Sequence, residues 1–285
     1  MNTDYRCIPC FFKQCIRAGK AAGATPLWIK SALQEVSAYL ADAPLEKNPS
    51  FVGTEVHRIM RNALGNPDPF REVKRHNTKE ALTMFNSLRE RVHEAKDPLL
   101  EALRVAVAGN VIDFAGEHEP DPQKQIFKAL KKPFPLENYD TFVEELKKIS
   151  NIFILADNAG EIVLDRILIE ILREKGLGIV VAVKESPVVN DATFEDAYSA
   201  GVHKEAGIIS TGCDSVGTDL SRSSPQFIRR FKSAELILAK GQAHYETLHK
   251  FNARVWHLFM VKCEMVAEEL GRKVGDIMFF RGSSL

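Results

Sequence analysis

The second half of the chain alternates short apolar runs with amphipathic helical segments, and this pattern constrains the fold more than any other feature. The apolar runs are NIFILA, GIVVAV, AGIIS, ELILAK and RVWHLF. Segments with helical spacing, such as EIVLDRILIEILREKG, lie between them. Because strands that alternate with helices build a parallel sheet with helices on its faces, we predict a Rossmann-like three-layer α/β domain over residues 150–285.

The first half of the chain carries helical patterns and no strand-like alternation. TPLWIKSALQEVSAYLA places Thr25 as an N-cap before Pro26, and EVHRIMRNALG ends at Gly65. NTKEALTMFNSLRERVHEA starts with Asn77 in the pattern of a capping box. Because no Gly/Ser-rich linker follows, we predict an all-helical domain over residues 1–149 that packs on the sheet domain.

Charge and hydropathy narrow the class of partner. The 285 residues include 38 Lys and Arg and 38 Asp and Glu, so the formal net charge is zero and a polyanion is not an expected partner. No window approaches the roughly 20 apolar residues of a membrane helix, and the N-terminus lacks the apolar core of a signal peptide. We expect a cytoplasmic protein that acts on a small molecule, without nucleic acid or membrane as a partner. The oligomeric state stays open.

An acid and an amide, Asp157 and Asn158, follow the first apolar run in LADNAGEIVLD. Ligands of open parallel sheets bind beyond the carboxyl ends of the strands, which is where these two residues fall. Carboxylate and amide oxygens suit Mg²⁺ or Mn²⁺, and the start of the next helix, at Gly160 and Glu161, suits a phosphate. On this segment alone, an equal alternative is that Asp157 merely caps the helix.

Three further strands end in similar polar turns. The second runs into Asp191 within VVND, the third ends in Thr211 and Gly212, and the fourth delivers Lys240 and Gly241. Each strand end also allows a simpler interpretation than ligand binding: the residues form an ordinary turn, or the lysine lies in solvent. Four such ends together favour a phosphate site that has hydroxyl and backbone donors and a cationic amine.

The helical half contains one polar spot in an apolar segment. VAVAGNVIDFA is apolar except for Asn110 and Asp113, which share a helix face. Polar groups in so apolar a helix need partners. These two residues either line the mouth of the site or form a buried hydrogen-bonded pair.

Three of the five cysteines, Cys7, Cys10 and Cys15, lie close to the N-terminus. A single CxxC is half of a structural zinc site, and a redox CxxC normally begins a helix that follows a strand. In order of preference, we interpret these residues as buried or incidental thiols, as ligands of a second metal or iron–sulfur group, and as a redox pair. Cys213 and Cys263 are predicted core residues.

Several motifs together resemble one known family. LADNAGEIVLD, VVND, STG followed by GTDL, AKGQAHYE and the N-terminal CIPC are similar to the damage-control phosphatases, also called domain of unknown function 89. DPFREVKRHNTKEAL and AGNVIDF resemble the helical half of that family. The resemblance spans nearly the whole chain, and the CxxC start and KGQ resemble the prokaryotic branch that stands alone as a single-chain enzyme.

The resemblance implies a divalent-metal-dependent phosphatase in which an α/β domain is joined to a helical domain. It implies that Asp157, Asn158 and Asp191 hold the metal, that Lys240 contacts the phosphate, and that the GN..D helix lies near the active site. One departure from the family pattern is His244, where Asn is more usual. Substrates of the family are phosphorylated metabolites, including sugar phosphates and damaged side products.

The expected reaction uses Mn²⁺, Co²⁺, Ni²⁺ or Mg²⁺ to neutralise charge and to orient a water for attack on phosphorus. Asp157 or Asp191 would help to deprotonate that water. In a covalent alternative, Asp157 attacks phosphorus itself, which is less favoured because its neighbour is Asn158 and not a second acid. The predicted substrate-binding residues are Asn110, Asp113, Gly160, Glu161, Thr211, Gly212, Lys240 and Gly241.

Two functions of other classes compete with this prediction. One is a non-catalytic regulator that binds phosphorylated metabolites or nucleotides on the same scaffold. The other is a methyltransferase on the same type of sheet. Against the methyltransferase, the chain has ADNAG where a glycine-rich turn would follow the first strand.

Overall fold

Every strand of the described chain lies beyond residue 150. A computed structural model describes residues 1–112, 122–251 and 254–282. Its strands are β1 Asn151–Leu155, β2 Gly178–Val183, β3 Gly207–Ser210, β4 Leu236–Lys240, β5 Val255–Met260 and β6 Ile277–Arg281. They form one sheet in the order β3-β2-β1-β4-β5-β6, which confirms the predicted α/β class.

The described helices divide into a set that precedes the sheet and a set that connects its strands. The first set is α1 Cys7–Ala21, α2 Pro26–Ala41, α3 Pro49–Leu64, α4 Arg71–Glu94, α5 Pro98–Ala108, α6 Pro122–Leu130 and α7 Tyr139–Leu146. The second is α8 Glu161–Glu174, α9 Phe194–Ser199, α10 Pro225–Ser233, α11 Gln242–Leu248 and α12 Glu264–Leu270. Short 3-10 helices cover Gly109–Ile112 and Val202–Lys204. None of the helices in the described part of the chain is both long enough and apolar enough to cross a membrane.

The sheet is mixed, because β6 pairs antiparallel with β5 whereas β1 to β5 are parallel. The sequence prediction lacks this sixth strand. The seven-residue helix α12 lies between these two strands. Strand β6 starts where β5 ends, with Ile277 beside Met260.

Strand β1 lies where the order of the sheet reverses. It pairs with β2 on one side and with β4 on the other. The chain thus builds β1, β2 and β3 outward in one direction and then crosses over to start again at β4. In open α/β sheets, ligands bind beyond the carboxyl ends of the strands at such a switch point. The residues after β1 and β4 therefore meet at the position predicted for the site.

Local capping signals set some helix ends but not all. Thr25 caps α2 through its side chain, and Gly65 ends α3 in the left-handed conformation, as predicted. The predicted start at Asn77 is wrong, because α4 begins at Arg71 and Asn77 lies inside it. Nothing between these two residues breaks a helix. Lys74, buried in the first turn, pairs with two carboxylates and fixes that turn in place.

Apolar cores cover both faces of the sheet. Helices α4 to α8 pack in one core with the face that carries Ile152 and Ile154. Phe153 and Leu155 point into a second core with α10, and α11 and α12 complete the cover of that face. This arrangement confirms the predicted three layers. Helices α4 to α7 share their core with the sheet, and the predicted division at residues 149 and 150 stays a prediction.

Helices α1 to α3 pack around a core of their own. Its buried members include Phe11, Val36, Val56 and Met60. This core is separate from the cores that cover the sheet. The N-terminal helices are therefore of two kinds, one set continuous with the sheet and one set with an independent apolar centre.

Candidate active site

Asp157 and Asn158 lie between the end of β1 and the start of α8, with only 6% and 3% of their surface exposed. Helix α8 begins at Glu161 with Gly160 as its N-cap. Asp157 therefore stands three residues before the capping position, and the alternative that it caps the helix is wrong. A carboxylate this well buried needs compensating partners, because desolvation of an ion costs several kcal/mol.

The segment that follows β2 pairs through its backbone with the segment that follows β1. The N–H of Ala192 donates to the carbonyl of Asp157 at 2.8 Å. Asn158 and Asp191 lie opposite each other in an isolated antiparallel bridge. The structure thus brings the three predicted metal ligands together from the ends of two adjacent strands.

The turn before Asp191 has an unusual backbone. Among the described residues, Val189 is the only non-glycine residue with a positive φ, which is +47°. A β-branched side chain rarely adopts this region. Such strain costs about 1–3 kcal/mol and persists only where the surrounding structure enforces it. Here it stands two residues before a predicted metal ligand.

Gly241 brings the end of β4 directly against Asp157. Its φ of +85° lies in the region that favours glycine. A β-carbon at this position would overlap the carboxylate of Asp157. The ends of β1 and β4 can therefore approach this closely because residue 241 has no side chain. The predicted contact of Gly241 with a substrate stays a prediction.

Asn110, in the 3-10 turn after α5, connects the helical half to the site. Its Nδ2 donates to Oδ2 of Asp157 at 2.8 Å and to Oε2 of Glu161 at 2.7 Å. Nδ2 of Asn158 reaches the same two oxygens at 3.0 Å. The Oδ1 of Asn110 is buried and has no partner among the described residues. Asn110 therefore touches a predicted metal ligand, while Asp113, predicted with it, lies outside the described residues.

Lys240 is fully buried, and protein groups satisfy its ammonium group. It donates to Oε1 of Glu161 at 2.6 Å, to Oδ1 of Asp165, and to the carbonyl of Ala106 at 3.2 Å. An ammonium group has three N–H donors, so all of them are engaged. These are the contacts of an internal ion pair, and the prediction that Lys240 binds phosphate stays a prediction.

Asp165 and Lys240 both have shifted pKa values. Burial raises the pKa of Asp165 to about 7, and Glu161 adds to the rise, although Lys240 acts in the opposite direction. Burial also lowers the pKa of Lys240, but the charges of Asp165 and Glu161 outweigh it and raise that pKa above its ordinary value. Lys240 therefore stays charged, whereas Asp165 changes its charge near neutral pH.

Thr211 and Gly212 contact the end of β2, their own loop and the start of α10. The N–H of Thr211 donates to the carbonyl of Val183 at 2.8 Å, and its hydroxyl donates to the carbonyl of Cys213 at 3.1 Å. A side chain at Gly212 would collide with Ser224. These contacts shape the turn after β3, and the predicted role of both residues in binding substrate stays a prediction.

Two lysines at the site are missing from the sequence prediction. Lys184 follows β2, is 2% exposed, and has its Nζ 3.4 Å from Oδ2 of Asp191. Lys262 follows β5 and has its Nζ 4.0 Å from Oδ2 of Asp157. Both stand directly or almost directly after an apolar run, as Lys240 does. The strand-end position that singled out Lys240 would therefore also have found them.

Buried charge at this edge of the sheet is predominantly negative. Four buried carboxylates stand against two buried ammonium groups, an excess of up to two negative charges. The groups are those of Asp157, Glu161, Asp165, Asp191, Lys184 and Lys240. Lys262, whose side chain is 32% exposed, adds a further ammonium group 4.0 Å from Asp157. A divalent cation fits a setting with this many buried carboxylates. Hard oxygen donors suited to Mg²⁺ or Mn²⁺ are present in Asp157, Asn158 and Asp191.

Side chains elsewhere in the described ranges offer no comparable set. No three His, Cys, Asp or Glu side chains there are grouped so as to hold a metal ion. The fit of a cation therefore rests on two carboxylates and one amide. The unpartnered Oδ1 of Asn110, beside Asp157, adds a further oxygen of the same chemistry.

All five cysteines are free thiols. Cys10 is exposed, Cys7 is half-buried, and burial raises the pKa of Cys15 to about 11. Cys213 and Cys263 are half-buried, so neither lies inside a core as predicted, although Cys263 packs against the edge of one. Both lie next to strand or helix ends, where the apolar packing is incomplete.

Helix α3 lies against the loops that follow β2 and β3. Arg58 and Arg61 both pair with Asp214 in the loop after β3, and Arg61 also donates to the carbonyl of Pro187 after β2. Burial raises the pKa of Asp214, but the hydrogen bonds from the two arginines outweigh it and hold that pKa well below its ordinary value. The α1–α3 cluster is thus tied to the rim of the site by charged groups.

The family of the chain follows from comparison with known proteins. A family model described as the damage-control phosphatase ARMT1-like domain matches residues 3–278. The chain belongs to the damage-control phosphatase family. This membership confirms the predicted family, and it supports a phosphatase-type function in general terms.

Relatives within the damage-control phosphatase family match over most of their length. The damage-control phosphatase PH1575 of Pyrococcus horikoshii is 34% identical over 286 residues, which cover 99% of this chain and 98% of the relative. A damage-control phosphatase of Archaeoglobus fulgidus is 30% identical over 233 residues, 80% of each chain. The crystal structure of a DUF89 family protein from Pyrococcus horikoshii superposes with a TM-score of 0.90 at 33% identity, covering 99% of this chain and 100% of that one.

Proposed function

We propose that this damage-control phosphatase family member is a divalent-metal-dependent enzyme that hydrolyses small phosphorylated metabolites. One observation carries the proposal: Asp157, Asn158 and Asp191 meet, buried, beyond the carboxyl ends of the parallel strands β1 and β2, beside the switch point of the sheet. This is where such folds bind their ligands. The excess of buried negative charge around them supports a cation.

The cation would be held by oxygens of Asp157, Asn158 and Asp191. Mn²⁺, Co²⁺, Ni²⁺ and Mg²⁺ all accept such donors. When bound, the ion supplies charge neutralisation at the phosphoryl group and lowers the pKa of a water molecule. Asn110 orients the ligand Asp157 through its hydrogen bond of 2.8 Å.

Attack by water is better supported than attack by Asp157. Oδ2 of Asp157 accepts hydrogen bonds from the amides of Asn110 and Asn158, at 2.8 and 3.0 Å, and Lys262 lies 4.0 Å away. Donors on a carboxylate oxygen withdraw its electron density and make it a poorer nucleophile. Asp157 is thus suited to be a fixed ligand, and Asp191 or Asp157 would accept the proton of the attacking water.

The substrate would be a small phosphorylated metabolite, such as a sugar phosphate or a damaged metabolite. Gly160 and Glu161 begin the 14-residue helix α8, whose positive dipole end suits a phosphate. The names of the relatives as damage-control phosphatases support the same class of substrate. The free thiols support a cytoplasmic location, where disulfides are rare.

The experiment is metal-dependent hydrolysis of p-nitrophenyl phosphate by the full chain after chelation. We expect turnover to return with Mn²⁺, Co²⁺, Ni²⁺ or Mg²⁺ and to be lost in Asp157→Asn and Asp191→Asn. Asp140→Asn, at an exposed position of α7, is the matched control and should keep full turnover. A library of phosphorylated metabolites then identifies the preferred substrate.

Three outcomes would contradict the proposed function. Turnover that survives exhaustive chelation, or that persists in both acid variants, would contradict metal-dependent hydrolysis at this site. Tight binding of phosphorylated metabolites without any turnover would indicate the non-catalytic regulator instead.

A further inference from the structure

Lys184 is a buried lysine at the site whose ammonium group has fewer partners than that of Lys240. It is the first residue after β2, and its side chain is almost fully buried. Its Nζ donates to the carbonyl of Gly217 and lies 3.4 Å from Oδ2 of Asp191. These two contacts account for two of the three N–H donors of an ammonium group.

Lys184 and Lys240 differ in how closely carboxylates approach their ammonium groups. Lys240 has two carboxylate partners, one of them at 2.6 Å, and a carbonyl partner. Lys184 has one carboxylate at 3.4 Å, which is longer than the roughly 2.7–2.9 Å of a charge-assisted hydrogen bond. A buried ammonium group with so loose a partner is costly. An anionic group of a ligand would offset that cost at Lys184. At Lys240, the protein already engages all three N–H donors, so none is left for a ligand.

The loop that carries Gly217 is fixed against the end of β1. Nε2 of His244 donates to the carbonyl of Ala156 at 3.1 Å, since a carbonyl can only accept. Its Nδ1 therefore accepts from the hydroxyl of Thr218 at 2.8 Å. Burial, with Lys184 nearby, holds the pKa of His244 well below its ordinary value, so the ring stays neutral. Lys184 thus lies in a fixed frame between the ends of β1 and β2 and this loop.

The same loop contains a polar group without a protein partner. The hydroxyl of Ser215 is buried and makes no hydrogen bond within the described residues. Leaving such a group unsatisfied costs about 1–3 kcal/mol. A bound ligand oxygen or water would satisfy it. Lys184 contacts this loop at Gly217, and an ammonium group and a hydroxyl are both groups that can donate hydrogen bonds to phosphate oxygens.

We infer that Lys184, and not Lys240, binds the phosphoryl oxygens of the substrate, a phosphate monoester. The inference deepens the proposed function and rests on it. The ammonium group of Lys184 keeps its bond to the carbonyl of Gly217 and donates a free N–H to a non-bridging oxygen, without transfer of a proton. Lys240 is a positioning residue that joins β4 to α8 through Glu161 and Asp165.

The test measures phosphate binding separately from metal binding. The melting temperature of the full chain is recorded alone, with Mn²⁺, and with Mn²⁺ plus inorganic phosphate. In the unmodified chain and in the exposed control Lys232→Met, we expect a rise with Mn²⁺ and a further rise with phosphate. In Lys184→Met, the Mn²⁺ rise should remain and the phosphate rise should disappear. Inhibition of p-nitrophenyl phosphate turnover by phosphate should weaken about tenfold to a hundredfold.

A second variant guards against loss of folding. Lys184→Gln keeps a donor for the carbonyl of Gly217 but removes the charge, and it should show the same loss of the phosphate rise. A phosphate rise of unchanged size in the folded variants overturns the role of Lys184. Absence of any Mn²⁺ response in the unmodified chain, by contrast, overturns the proposed function itself.

Discussion

Gly241 lies so close to Asp157 that the carboxylate occupies the space a side chain at position 241 would need. The contact joins the end of β4 to the end of β1, the two strands at the switch point of the sheet. The same carboxylate also accepts the amide of Asn110. Asp157 is therefore confined by two other segments of the chain, which suits a residue that must hold a ligand in one geometry.

Gly241→Ala should therefore disable the site. The new methyl group displaces the Asp157 carboxylate, and a displacement of about 1 Å in a catalytic group can lower turnover about 100-fold. The positive φ of +85° also becomes strained, at a cost of about 1–3 kcal/mol in the free energy of unfolding. Turnover of p-nitrophenyl phosphate with Mn²⁺ and urea unfolding measure the two effects.

A matched control separates strain from displacement. Gly271 ends α12 with a φ of +62°, and a β-carbon there would meet no heavy atom within 4 Å. Gly271→Ala should lose about 1–2 kcal/mol of stability and keep its turnover. Equal turnover in the two glycine variants would show that the contact with Asp157 is unimportant.

Asn110→Ala should weaken both stability and metal binding. The change removes one donor that serves two buried carboxylates, those of Asp157 and Glu161. Hydrogen bonds to charged groups contribute about 1.5–3 kcal/mol, so urea unfolding should shift by about that amount. The Mn²⁺ concentration for half-maximal turnover should rise about 10-fold or more, as for other groups that orient a metal ligand. Asn86→Ala, on the exposed side of α4, should change neither quantity.

Lys240→Met should destabilise the fold, and more so at alkaline pH. Removing one partner of a buried ion pair costs about 3–5 kcal/mol. Without the ammonium group, the pKa of Asp165 rises further above its unfolded value. A carboxyl with a raised folded pKa loses its stabilising contribution as the pH rises, so the loss should be larger at about pH 8 than at about pH 6. Urea unfolding at both values tests this, and a loss independent of pH would contradict it.

His57 should make the fold less stable on mild acidification. Burial, with Arg61 nearby, lowers its pKa from 6.5 to about 4. The unfolded chain therefore binds a proton between these two values while the folded chain does not, and stability rises with pH across this window. The full effect is roughly 3 kcal/mol at and below the folded pKa.

The measurement is the unfolding free energy from about pH 4 to about pH 7. His57→Gln should flatten the curve between these values, although the buried His244 and His257 leave part of the slope. His76→Gln, at an exposed position, serves as the control and should leave the curve unchanged. A His57 variant with the same slope as the unmodified chain would contradict the assignment.

Local chemistry made part of the fold predictable. Thr25 and Gly65 act through hydrogen bonds and backbone angles within one helical turn, so their effects can be read from neighbouring residues. The predicted start at Asn77 is wrong because Lys74 fixes the first turn of α4, and one of its two partners, Asp196, is distant in the sequence. Strand β6 is absent from the prediction because its antiparallel pairing with β5 is a tertiary contact that no local pattern encodes.

The candidate site was also predictable only where it depends on local sequence patterns. Asp157 and Asp191 follow parallel strands, and the carboxyl ends of such strands share one edge of the sheet. The contact of Gly241 with Asp157 requires knowing that β4 lies beside β1, which no local pattern encodes. The partners of Lys240 lie on α8 and α5, and the sequence does not reveal how these helices pack. Its position at a strand end therefore suggests phosphate binding, although the structure shows an internal ion pair.

The independent core of helices α1 to α3 has a consequence for how α3 attaches to the sheet domain. Because these helices bury apolar side chains among themselves, their links to the loop after β3 include polar groups. The links from Arg58 and Arg61 to Asp214 are ionic, whereas Thr54 accepts the N–H of Val216 at 2.9 Å. Salt screens the ionic links, so the attachment of α3 should weaken as the ionic strength of the medium rises.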